Sequence, residues 1–134
     1  MKLSSKTITA IKMFVDLGEH YPGDFISLKD IAERKDISKK FLEQIVPIYK
    51  NTGLLLGNRG NQGGYKLAKK PQDISMKEII YTLENDLNKE TIGFTPIDEM
   101  LNKADDILDE YFNNISLSQL VEKQKESYSY DYSI

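Results

Sequence analysis

Leu54-Leu55-Leu56-Gly57-Asn58-Arg59-Gly60-Asn61-Gln62-Gly63-Gly64-Tyr65-Lys66-Leu67-Ala68 holds two short apolar runs around a glycine-loaded tip. Leu54–Leu56 and Tyr65–Ala68 read as antiparallel strands. Residues 57–64 read as the loop between them, since glycine supplies the backbone conformations of a tight reversal. Upstream, Ser38 is an N-cap that opens a helix from Lys39 to about Asn51, with Phe41, Leu42, Ile45 and Ile48 apolar and Gly53 as its stop. Pro47 sits inside that pattern and is expected to kink or restart the helix. Ser27 caps a shorter helix, Leu28–Arg34, whose Ile31 and Ala32 face inward. Two short helices with the brief link Lys35-Asp36-Ile37 match a helix-turn-helix, and a hairpin directly behind it makes a winged helix.

The flanks are helical. Ser4–Leu17 reads as a helix with Ile8, Ile11, Phe14 and Val15 on one face and Leu17 alongside, stopped by the Pro22-Gly23 loop. Ser75 caps a helix over Met76–Glu84. A polar loop, Asn85–Thr95, leads to a long helix from Ile97 to about Asn113. Ser116 begins a shorter one to about Lys123, and the tail from Ser127 shows no helical period. The expected fold class is mainly α with a small β-hairpin wing and a long dimerisation helix. It divides into a DNA-binding domain at 1–84, a linker loop and dimerisation helices at 85–126, and a flexible tail at 127–134.

Charge is distributed unevenly. Residues 27–70 carry ten basic and four acidic side chains, net +6, while residues 71–134 carry five and fourteen, net −9; residues 1–26 balance, and the total is −3. A local cationic patch holds a phosphate backbone while an acidic remainder keeps the protein off non-specific polyanions. The start, Met1-Lys2-Leu3-Ser4-Ser5-Lys6, is not a signal peptide and no run is long enough to span a membrane, so the expected compartment is the cytoplasm. With no cysteine there is no disulfide, thiolate metal site, thiol nucleophile or cysteine-held cluster. His20 is the only histidine, no phosphate loop with its lysine is present and no metal-ligand spacing occurs. The expectation is a non-enzyme without cofactor or metal.

Three constellations remain. Ser38, Lys39, Lys40, Glu43 and Gln44 place short polar groups, amides and ammonium groups at a helix N-terminus, where they meet base edges and phosphates. Gln44 suits adenine and Glu43 suits cytosine N4; the alternative is an ordinary solvated helix face. Arg59, Gly60 and Asn61 form the hairpin tip, where Arg59 suits a narrow minor groove and the glycine lets backbone approach phosphate, with Lys66 behind; the alternative is a tight turn with an incidental arginine. Ile97, Leu101, Ala104, Ile107, Leu108, Tyr111 and Phe112 form one apolar stripe on an acidic helix, suited to the same helix of a second subunit or to its own domain.

The start of the chain, the run Ile26–Arg34, the triplet Leu42-Glu43-Gln44 and above all Arg59-Gly60-Asn61-Gln62-Gly63-Gly64-Tyr65 resemble the Rrf-two family of bacterial winged-helix regulators, of the IscR/CymR type. Asn113-Asn114-Ile115-Ser116-Leu117 resembles its late helix junction. The resemblance implies a homodimeric transcriptional regulator, a repressor in this reading, on palindromic double-stranded promoter DNA. Ser38, Lys40 and Gln44 would read the major groove and Arg59 the minor groove. Two departures stand out. Lys6-Thr7-Ile8-Thr9 replaces the family's Lys-Gly-Arg-Tyr, and the loop Asn85–Pro96 lacks the three cysteines of cluster-binding members. The resemblance also suggests cysteine synthase as a partner, since that enzyme accepts C-termini ending in isoleucine and this sequence ends Tyr132-Ser133-Ile134. A frayed terminus is the alternative. A pocket around Phe94, under the fourth and fifth helices, is a further candidate for a small ligand.

Overall fold

The computed structural model describes residues 1–61, 63–88 and 93–132, without the side chains of 88 and 129–132. Its elements are α1 (Ser5–Glu19), α2 (Leu28–Lys35), α3 (Lys39–Asn51), β1 (Leu55–Asn58), β2 (Gly64–Leu67), α4 (Met76–Leu83), α5 (Pro96–Asn113) and α6 (Leu117–Tyr132), with 3-10 turns at Pro71–Asp73 and Asn85–Asn88. Ser27, Ser38 and Ser75 cap their helices as expected, and Ser4, read as the first residue of its helix, is a cap as well. Ser4, Ser27, Ser38 and Ser75 each accept a backbone N–H at the third helical position, satisfying a donor that no carbonyl of the helix can reach. Glu78 returns a bond to the Ser75 N–H at 2.9 Å, completing a capping box. Asp36 turns the chain between α2 and α3 in a left-handed conformation (φ 51°), which aspartate tolerates better than most residues.

α1 is the central pillar, touching α2, α3, α4, α6 and β2. Its buried positions are Thr7, Thr9, Ala10 and Met13 through Gly18; Ile8 is 41% exposed and Ile11 only half-buried. The inward face therefore differs from the one expected. Thr7 can occupy the core because its hydroxyl donates to the Glu84 carboxylate at 2.6 Å. Asp16, also buried, accepts a two-pronged contact from Arg34 of α2, both distances 2.9 Å. α3 runs unbroken through Pro47, without the expected restart. Pro47 and Glu43, the residue whose carbonyl loses its helical donor, both lie on the exposed side, where water can replace the bond. Ile48 is 41% exposed, and Tyr49 takes the core position next to it.

β1 and β2 pair antiparallel, Leu55 opposite Leu67 through Asn58 opposite Gly64. Leu55 and Leu67 are buried, so one face of the hairpin closes the core. The ladder extends further into the loop than expected. Gly64 permits this by letting the Ile26 backbone bridge to Tyr65, where a Cβ would lie 2.1 Å from the Ile26 carbonyl. At the tip Gly60 has φ +111°, a conformation that favours glycine.

α6 departs most from expectation. It continues to Tyr132 instead of ending near Lys123, so residues 127–132 are helical. The seven residues after Lys125 contain no glycine or proline to break it, and Tyr128 is anchored. At the other end Leu117 and Val121 are buried in the same core as α1, which therefore crosses the boundary expected at residue 84.

Candidate nucleic-acid interface

On α3, Leu42, Ile45, Val46 and Tyr49 are buried, which turns Lys40, Glu43, Gln44 and Pro47 outward along one stripe at three- and four-residue spacing. Ser38 and Lys39 are exposed at its start. The Ser38 oxygen accepts from the Phe41 N–H at 3.1 Å, so the hydroxyl retains its own proton for an outside acceptor. Lys39 and Glu43 lie 3.9 Å apart, both more than half exposed, and the lysine offsets a carboxylate that would otherwise repel phosphate.

Arg59, Gly60 and Asn61 are exposed at the hairpin tip, where the Gly63 N–H closes a turn on the Gly60 carbonyl at 2.9 Å. Gln62 lies outside the described residues. Lys66 is on the hairpin face opposite the core, with its ammonium 4.5 Å from the centre of the Phe25 ring. It is thus folded against the α1–α2 loop.

Two cations join the region that the spacing of residues did not single out. The Lys6 ammonium stands 5.9 Å from the centre of the Phe41 ring, beside the start of α3. The Lys50 ammonium reaches β1, 3.3 Å from where a Cβ on Gly57 would be. Lys6 precedes Phe41 by more than thirty residues, and only the packing of α1 on α3 joins them.

α5 has no buried residue. Ile97, Leu101, Ala104, Ile107 and Tyr111 are exposed, as is Met100, which the expected stripe omitted. Phe112 departs from the stripe: its ring packs edge-on to Tyr81 of α4, centroids 6.4 Å apart, and Leu108 is half-buried. A stripe that broad spans two directions. The edge carrying Phe112 turns to α4, where Lys77 also pairs with Asp109 at 2.8 Å. Phe94 is 96% exposed and does not line the cavity of about 910 Å3 that lies between α4 and the α5–α6 junction, whose walls include Tyr81, Thr82, Asn113 and Gln119. Tyr132 closes α6 but its side chain, like all of Ile134, lies outside the described residues. Tyr128 accepts a hydrogen bond from Lys35 of α2 at 3.2 Å. Burial alone would lower the Lys35 pKa, but hydrogen bonds to Glu19 and Tyr128 outweigh it and hold the ammonium above its ordinary value.

Metal donors are sparse. The sequence has no cysteine, and among the described residues no group of three or more His, Asp or Glu is placed to hold an ion.

This chain is 36% identical over 84 residues to the protein rrf2 of Nitratidesulfovibrio vulgaris, a match over 63% of this chain and 56% of that protein. It thus spans little more than half the length of the first curated relatives it matches. Its fold superposes on T. potens IscR with a TM-score of 0.82 at 32% identity, covering 95% of this chain and 90% of that one. CymR, the global cysteine regulator of B. subtilis, gives 0.79 at 26% identity over 92% and 98%. Residues 3–123 match the family described as Rrf2, iron-dependent transcriptional regulator. The residues present do not fit an iron centre of the cysteine-held kind. By its hairpin, its helix order and a match over nearly all of its length, the chain belongs to the Rrf2 family of transcriptional regulators.

Proposed function

We propose that this protein is a sequence-specific DNA-binding regulator that acts as a homodimer on palindromic promoter sites, as a repressor, in the cytoplasm, without a cluster or any catalytic step. The observation that carries the reading is the exposed stripe of α3, capped by Ser38 and lined by Lys39, Lys40, Glu43 and Gln44, with its opposite face buried. A helix of that kind presents its first turns to base edges, and its dipole and lysines attract phosphate. Arg59, Gly60 and Asn61 serve as a minor-groove and phosphate contact at the wing tip. Lys6 and Lys50 add phosphate contacts beside α3. Lys66 contributes to DNA only by leaving the Phe25 ring.

The homodimer is supported by α5. Five large apolar side chains, Ile97, Met100, Leu101, Ile107 and Tyr111, are between 45% and 67% exposed on one helix, an arrangement that marks an association surface. Two copies meeting through α5 would place two α3 helices for two half-sites.

Genomic fragments selected on the purified protein test the reading. The expected result is an inverted-repeat site whose affinity falls steeply with salt. Absent or salt-insensitive binding refutes it.

A second reading concerns the C-terminus. The Tyr128–Lys35 contact ties the end of α6 to the helix-turn-helix, so a partner enzyme such as cysteine synthase that captured Tyr132 and Ile134 would pull on the DNA-binding unit. Calorimetry with and without Ile134 tests it: unchanged binding removes the terminus from the interaction.

A further inference from the structure

A cavity of about 270 Å3 lies between the loop that follows α1 and the outer face of the hairpin. Its apolar wall includes Leu17, Leu56 and Leu67, and its polar groups include Lys66, Asp24 and His20. We infer that this cavity is a binding site for a small aliphatic α-amino acid.

Size sets the first limit. Pockets for drug-sized ligands run from about 300 to 1,000 Å3, so this one, just below that range, suits a small guest. Charge sets the second. Lys66 and Asp24 line the same cavity, yet among the described residues neither forms an ion pair. Lys66 is half-buried with its ammonium over the Phe25 ring, so part of its hydration is already lost and a carboxylate partner is worth more to it there. A simple anion would meet the Asp24 carboxylate, and a simple cation would meet Lys66. A zwitterion answers both, its carboxylate toward Lys66 and its ammonium toward Asp24. His20 supports the second contact. Its Nδ1–H donates to the Asp16 carbonyl at 2.8 Å, so in the neutral ring Nε2 is left as an acceptor. The leucines take the aliphatic side chain, with Leu17 and Leu67 almost fully buried and Leu56 the exposed rim.

The site joins two parts of the fold. One wall is the loop leading to α2; the other is β1 and β2, which carry Arg59 at their tip. An occupant would clamp the wing against that loop and hold Lys66 in place. Binding itself does not depend on the DNA-binding reading, so either can fail without the other.

The test is a 1H–15N correlation titration of the full chain with L-valine, with isovalerate and isobutylamine as probes that each lack one charge, repeated on Lys66→Gln and Asp24→Asn. The expected result is saturable shifts at the amides of Gly23, Asp24, Leu56 and Leu67 with L-valine. Binding should be weaker by about tenfold or more for both single-charge probes and for both variants, whose spectra elsewhere stay native. No saturable shift at these amides up to about 10 mM L-valine overturns the inference, as does isovalerate or isobutylamine binding as tightly as L-valine, or both variants binding like the wild type.

Discussion

Tyr49 of α3 donates its phenolic hydrogen to the backbone carbonyl of Ile79 in α4 across 2.6 Å, with both residues buried. The ring stands edge-on to Phe14 of α1, centroids 4.8 Å apart. One side chain thus fixes the α3 helix against both the central pillar and the helix that leads to α5. Burial pushes the hydroxyl far above the ordinary tyrosine range, with the Glu84 charge adding to the effect.

Tyr49→Phe keeps the ring and removes the bond. It should destabilise the chain by about 1–2 kcal/mol, read as a lower urea midpoint at unchanged slope. The native state holds this proton more tightly than the unfolded chain does. Wild-type stability should therefore be intact below about pH 10 and fall as pH rises beyond it, and the fall should be smaller in Tyr49→Phe.

Glu84 behaves in the opposite sense. The Thr7 hydroxyl at 2.6 Å and the Ser4 N–H at 2.8 Å hold its carboxyl below the usual glutamate range. The stability it contributes is present above about pH 4.3 and is lost as pH falls through its folded value. Glu84→Gln should lower the melting temperature at neutral pH, and thermal scans of the two proteins should converge in acid.

Arg59→Ala should weaken binding to the selected DNA site by about 1–3 kcal/mol at fixed salt, measured by fluorescence anisotropy. The arginine is exposed at the wing tip, so the free protein's melting temperature should not move. Equal affinity of the two proteins would remove the wing from the interface.

Ile107→Glu places a charge on the exposed apolar face of α5, where Ile107 is 59% exposed in the single chain. A symmetric contact meets the change twice. Association should weaken by about 3 kcal/mol or more, roughly a hundredfold, converting dimer to monomer in sedimentation equilibrium with helical content retained. A variant that sediments like the wild type would move the interface off α5.

Local order was legible because it depends on neighbours in sequence. Ser27, Ser38 and Ser75 each stand before an amphipathic run and each caps it, and the glycines around Arg59 announce a hairpin. On α3 the same periodicity placed Leu42 and Ile45 on the inner face, whereas Ile48, read with them, is 41% exposed and Val46 and Tyr49 are buried instead. The errors came where several elements compete for one helix. Thr7 displaced Ile8 from the core of α1 because Glu84, 77 residues later, satisfies its hydroxyl. Phe112 left the α5 stripe because Tyr81 offered a closer surface.

The order of residues determined by itself where most helices begin, where the hairpin turns and that no thiol is present, because propensity, capping and composition act over a few residues. Only tertiary packing decided that Lys6 and Lys50 stand beside α3 and the wing, that α6 shares the core of α1, and that Lys66 and Asp24 open onto one cavity. Those relations join residues tens of positions apart, and they exist only once burial of the apolar faces has brought the helices together.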